Sequence, residues 1–191
     1  MKRNLLIAFL MTIVTTILLG IIYPLVVTGL AQVLFPKQAN GELIEVNGKV
    51  VGSALLAQSF TGANYFHPRP SAVNYDGMNS NGSQLGPTNR TLIDRVKGDV
   101  AALQAENPGT PVPIDMVTTS GSGLDPDITL AAADFQIPRV AKARGMSEEA
   151  VREAVRQHTE GRQFGFFGEP RVNVLELNLA LDKVPYKQAA R

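Results

Sequence analysis

The chain has 191 residues, 45% of them hydrophobic, with 18 lysines and arginines against 17 acids and no cysteine. The missing cysteine excludes a disulfide framework, a thiolate metal site, a cysteine nucleophile and an acylated lipoprotein signal. Two of the 18 bases, Lys2 and Arg3, stand at the start; the remaining 16 face 17 acids, which leaves no nucleic-acid footprint and no charge to dock the rest of the chain on anionic lipid.

After Arg3 no charged side chain appears from Asn4 to Pro36. A helix rising about 1.5 Å per residue crosses a bilayer core about 30 Å thick in roughly 20 residues. Residues 5–22 alone suffice, and the remainder tilts the helix or carries it past the lipid, with Tyr23 as an interfacial ring. A cleaved secretory signal shares the basic start, and Gly29-Leu30-Ala31 has the small residues of a peptidase site, but an h-region covers only about 7 to 15 residues. Residues 1–36 therefore read as a cytoplasmic tip and a retained anchor in the lipid bilayer of a cytoplasmic membrane. Lys2 and Arg3 outweigh Lys37 and Lys49, which are mixed with Glu42 and Glu45, so the positive-inside bias puts the N-terminus in the cytoplasm and residues 37–191 outside. Small or helix-breaking residues recur every fourth position at Ala8, Thr12, Thr16, Gly20, Pro24 and Thr28. Such a row lets a second membrane helix approach closely, although these residue types are also common in membrane helices at large.

The extracytoplasmic part is predicted to be one α+β domain. Residues 43–46 and 49–52 flank Asn47-Gly48, the dipeptide suited to a type I′ hairpin turn. Residues 53–60 are apolar and are expected to lie against that hairpin. Residues 61–90 are crowded with Gly, Asn and Pro, yet Tyr65, Phe66, Val73, Tyr75 and Leu85 punctuate them, which predicts a long loop pinned to a core. A helix follows over 91–106, with Leu92, Ile93, Val96, Val100 and Leu103 on one stripe and Asp94 set to pair with Lys97. Residues 111–119 read as extended and Ser120-Gly121-Ser122-Gly123 as flexible. Asp125-Pro126 reads as a cap and first helical turn, Pro138 as the restart of a second short helix to Arg144. Ser147 caps another helix, with Glu148 four before Arg152, and residues 174–182 favour helix over strand, capped by Asn173.

No reactive constellation accompanies these elements. Ser122 lacks the first glycine of a serine elbow, no phosphate-binding loop occurs, and His67 and His158 have no zinc spacing. His158 falls on the apolar stripe of its helix, and His67 lies between Phe66 and Pro68. Asp125, Asp127 and Asp134 do not complete a calcium loop. Arg69, stiffened between Pro68 and Pro70, is either a presented cation or an ion-pair partner. The inventory gives no catalytic residue and no metal ligand, and points to a partner-binding module. An anchored hydrolase with an unrecognised Ser or Asp pair and an exported binding protein remain the alternatives.

Five blocks in order resemble one family. They are Gln58-Ser59-Phe60; Tyr65-Phe66-His67-Pro68-Arg69-Pro70-Ser71-Ala72; Leu85-Gly86-Pro87-Thr88-Asn89; Thr119 to Pro126; and Gly168-Glu169-Pro170-Arg171-Val172-Asn173-Val174-Leu175. With the basic start and long apolar helix, they are similar to the C subunit of the Kdp high-affinity potassium-transporting ATPase of bacteria and archaea. One departure is Thr129-Leu130, where the family commonly has Ser-Pro. The resemblance implies a single-pass accessory subunit that assembles with a potassium-binding channel-like subunit, a P-type ATPase subunit and a very small membrane subunit. ATP and K+ would be used by the complex, with no cofactor bound stably here, since the phosphorylation motif Asp-Lys-Thr-Gly-Thr is absent. It implies Gln58, Tyr65, Phe66, Arg69, Pro70 and Asn89 as an interface loop. It also implies a catalytic chaperone role that raises the ATP affinity of the ATPase subunit, which conflicts with an outside domain if that contact is direct.

Overall fold

The computed structural model describes residues 2–183, and the chain divides into two compact units, Met1–Val51 and Gly52–Arg191. In the first, one rod runs Lys2–Leu34 with a mean hydropathy of 2.8 and none of its apolar window buried. It comprises α1 (Lys2–Thr15), a π-helical stretch (Thr16–Ile22) and α2 (Tyr23–Leu34). Pro24, at the start of α2, accounts for the stretch: its ring would strike the carbonyl four residues back, and a wider turn relieves that clash. The wider turn also rotates later residues relative to earlier ones. The row of Ala8, Thr12, Thr16, Gly20, Pro24 and Thr28, spaced for an uninterrupted α-helix, therefore has two of its members inside the π stretch. The Thr12 and Thr15 hydroxyls donate to the Ala8 and Met11 carbonyls at 2.9 and 2.8 Å, so both are satisfied within the rod, as lipid requires.

Past the rod, α3 (Pro36–Ala39) leads to the predicted hairpin, β1 (Leu43–Val46) paired with β2 (Lys49–Ser53). Asn47 and Gly48 have φ of 53° and 74°, the two positive values that a type I′ turn demands.

The second unit is α+β. Helix α4 (Arg90–Glu106) lies where the stripe predicts it, although its stripe residues are half-buried rather than buried. Asp94 takes its partner from Arg90 one turn earlier, at 3.0 Å, instead of from Lys97. Residues 111–119 are not extended: a 3₁₀ turn, Ile114–Met116, follows Pro113 and buries Asp115 and Met116. The expected cap at Asp125-Pro126 is also displaced. Residues Asp127–Thr129 form β3, which pairs antiparallel with β5 (Arg171–Asn173), and β5 pairs antiparallel with β4 (Thr159–Glu160). Helix α5 (Leu130–Arg144) begins after this strand with Thr129 as its cap, whose side chain accepts from the Ala132 amide. Long-range pairing outweighs the local Asp-Pro signal here. Helix α5 runs through Pro138 without a restart. The hydrogen bond lost there belongs to the carbonyl of exposed Asp134, which water can reach, while Phe135, Ile137, Val140 and Ala141 hold the helix by burial.

Ser147 caps α6 (Glu148–Gln157) as predicted, accepting from the Ala150 amide at 3.2 Å. Arg152 pairs with Glu149 and reaches Asp134 of α5 at 3.9 Å, not Glu148. Asn173 caps α7 (Val174–Asp182), accepting from the Glu176 amide. The core gathers Phe66, Ile128, Ile137, Val140, Val151, Val155, Val172, Leu177 and Leu181. At about 1.5–3 kcal/mol per fully buried large apolar side chain, this cluster is the main favourable term in the domain.

Candidate interaction surface

The long loop of residues 61–90 contains no strand or helix until α4 begins, so its backbone polar groups need partners elsewhere. Two buried carboxamides supply them. The Asn178 side chain accepts from the Phe66 amide at 2.8 Å and donates to the Phe66 carbonyl at 2.9 Å. Gln136 accepts from the His67 amide at 2.8 Å and donates to the His67 carbonyl at 3.1 Å. Two consecutive residues are thus each paired through both backbone groups, as strands on the two sides would pair them, by side chains that are 1% and 0% exposed. Neither amide was singled out from the sequence. The signal was available: each interrupts an apolar helical run, Gln136 between Phe135 and Ile137, Asn178 between Leu177 and Leu179.

Cations extend the clamp. Arg139 donates to the Ala63 and Tyr65 carbonyls at 2.7 and 2.8 Å and pairs with Glu106. Arg144, with its side chain fully buried, donates to the Asn64 carbonyl and pairs with Asp182 at 2.8 Å while lying 5.2 Å from the Tyr65 ring centre. The Tyr65 hydroxyl donates to Asp182 as well. Phe66 is in the core. His67 is half-buried, its Nε2 is 3.0 Å from the Gly62 carbonyl, and burial followed by the nearby Arg139 charge pushes its pKa down. Arg69 resolves as an ion-pair partner, donating to Asp125 at 3.0 Å; Asp125 also accepts from the Asp127 amide instead of capping a helix.

The segment expected to be flexible, residues 120–123, is bound to this loop. The Ser71 hydroxyl donates to the Gly123 carbonyl at 2.7 Å, and the Asn81 amide donates to the Ser122 carbonyl at 2.9 Å. Gly123 has φ +69°, and a Cβ there would lie 2.7 Å from Val73 Cγ2 and 2.8 Å from the Asn81 carbonyl oxygen, so only glycine allows this closeness. Gln58 is half-buried, with its amide against Gly52. Asn89 caps α4, its side chain accepting from the Thr91 amide. Pro70 helps line an open cleft of about 690 Å³ between the loop and α4, together with His67, Tyr75, Leu85, Arg95 and Leu103. Arg95 and Asp99 within that cleft pair with each other at 2.7 Å.

Elsewhere His158 closes α6, with Nδ1 2.8 Å from the Ala154 carbonyl. Asp127 pairs with Arg171, and the three aspartates weighed for calcium point to different partners. Among the described residues no group of three or more His, Cys, Asp or Glu side chains could hold a metal ion.

A family model described as the c chain of a K+-transporting ATPase, KdpC, matches residues 5–183. The potassium-transporting ATPase KdpC subunit of Koribacter versatilis (strain Ellin345) is 61% identical over 184 residues, covering 95% of each chain. That of Rhodopseudomonas palustris (strain BisB18) is 57% identical over 92% of this chain and 95% of its own. The subunit of the same name from Bradyrhizobium diazoefficiens is 53% identical over 98% of this chain and all of its own.

Proposed function

The chain belongs to the KdpC family, the c chain of K+-transporting ATPases, and we propose that it serves its complex as a non-catalytic clamp standing on the outer face of the membrane. It is an accessory subunit of that transporter, so partner subunits exist. The observation that carries the non-catalytic reading is the fate of the motif loop: Tyr65, Phe66, His67, Arg69 and Ser71 each bond the chain's own backbone or side chains, with Arg69 Nε buried and without a partner among the described residues. Those groups shape a surface and leave no nucleophile, base or oxyanion donor poised on a substrate. Hydrolysis of ATP then belongs to another chain, a P-type subunit, and potassium to a channel-like subunit, with a very small membrane subunit completing the assembly.

Lys2 and Arg3 ahead of the apolar rod support an N-terminus in the cytoplasm and a domain outside. On that topology an influence on ATP affinity travels through the rod and the partner subunits, because the domain and the nucleotide are on opposite sides. Mild-detergent purification of the full chain from its native membrane tests the assembly: a large P-type ATPase and a potassium-channel-like polypeptide should accompany it. Protease added to intact spheroplasts should digest the domain, and protection there with digestion only in inverted vesicles refutes the topology.

A further inference from the structure

Between β4 and β5 the chain leaves the domain as a short hairpin whose tip is Gln163-Phe164-Gly165-Phe166-Phe167. Gln163 and Phe167 exchange both backbone hydrogen bonds at 2.9 Å, and the Phe166 amide donates to the Gln163 carbonyl. Phe164 and Gly165 take φ of 53° and 82°. A bulky residue at positive φ costs energy, and at Phe164, 87% exposed, burial does not answer that cost, while Phe166 and Phe167, 65% and 58% exposed, have ring centres 4.2 Å apart. At about 200 Å² for a whole phenylalanine side chain, these fractions present on the order of 400 Å² of apolar surface, the size of patch that on a monomer is commonly functional.

Resting on the reading of the chain as a transporter subunit, we infer that this tip is an anchor that inserts into an apolar pocket on another subunit of the complex. Three features select that occupant. The tip is rimmed by paired charges of both signs, Arg162 with Glu169 at 2.6 Å and Arg171 with Glu160 at 2.7 Å. An aromatic centre inside a polar, neutral rim is the anatomy of a protein interface hot spot, whereas a tip destined for anionic lipid carries unpaired Lys and Arg. The available area is about half of what one partner contributes to a stable interface of standard size, so the tip needs a concave receptor that encloses it; two convex tips meeting would bury far less. The turn geometry and the paired backbone bonds fix the backbone that carries the three rings before binding, which lowers the ordering cost of docking.

The test uses the full chain in its assembled, detergent-solubilised complex. A photocrosslinking benzoylphenylalanine placed at Phe166 should form an adduct with another subunit. The variant carrying Phe164→Ser, Phe166→Ser and Phe167→Ser should keep the wild-type melting temperature and circular dichroism, because the rings contribute nothing to the core, yet dissociate from the complex at least about tenfold faster. Adducts confined to lipid or to a second copy of this chain overturn the inference, as does dissociation within about twofold of wild type. A wild-type chain that brings down no other subunit overturns the subunit reading and the anchor together, an outcome distinct from an intact complex indifferent to the tip.

Discussion

Gln136 and Asn178 act as single-residue substitutes for a strand, and the domain's longest irregular segment hangs on them. Replacing Asn178 with Leu keeps the number and branching of side-chain heavy atoms and removes both bonds, leaving the amide and carbonyl of fully buried Phe66 unpaired. Each orphaned group costs about 1–3 kcal/mol, so Asn178→Leu should lower stability by about 2–6 kcal/mol, read as thermal unfolding of the full chain in detergent; a loss under about 1 kcal/mol contradicts the clamp. His67, beside that clamp, gives the domain a pH dependence. Burial and Arg139 hold its folded-state pKa below 6.5, so the fold favours the neutral ring. Its contribution is complete above pH 6.5 and is lost as pH falls from there through the folded value. Unfolding stability should therefore drop as pH falls below about 6.5 in the wild type and drop less in His67→Gln; equal slopes remove His67 as the cause.

At the scale of elements, the start of α5 gives a structural place to Thr129-Leu130, the departure from the family resemblance. Thr129 is the cap, where a Ser hydroxyl would accept the same bond, and Leu130 is the first helical residue, a position that would also suit the pre-set φ of Pro. Thr129→Ala should cost about 1–2 kcal/mol, since the hydroxyl both caps the Ala132 amide and donates to Asp115, while Thr129→Ser should be close to neutral; urea unfolding of the two side by side decides it. What the sequence made legible at this scale depended on short-range chemistry. The Asn47-Gly48 turn, the α4 stripe, and the Ser147 and Asn173 caps all arise from residues within a few positions of one another. The three-stranded sheet stayed hidden because its strands are two or three residues long and the β3 partners in β5 lie 42 to 46 positions away, from Thr129↔Arg171 to Asp127↔Asn173. The loop was legible as pinned from its spaced aromatics, but not its mechanism, since the pinning groups sit in α5 and α7.

For the whole molecule, we predict that the rod packs against a second membrane helix. Between Leu5 and Ala31 the rod's exposed surface is predominantly apolar, so lipid alone satisfies it, and close packing with a second helix must come from local relief in the side-chain profile. Gly20 provides such relief in the middle of the π-helical stretch. A Cβ at that position would meet only Thr16 Cγ2, at 3.9 Å, an ordinary contact, so the chain itself has room for a side chain there. Leucine is also the better helix former by about 0.5–1 kcal/mol, and substitution should leave the rod inserted and helical. A neighbouring helix seated against Gly20 would be forced outward by the added isobutyl group, losing contacts over the turns on either side. Gly20→Leu should accordingly reduce co-purification of the partner subunits by about tenfold with unchanged membrane insertion of this chain, and Gly20→Ala should fall between Gly20→Leu and wild type. Wild-type recovery of partners with Gly20→Leu would mean that this face of the rod meets lipid, and would move the whole burden of assembly to the domain.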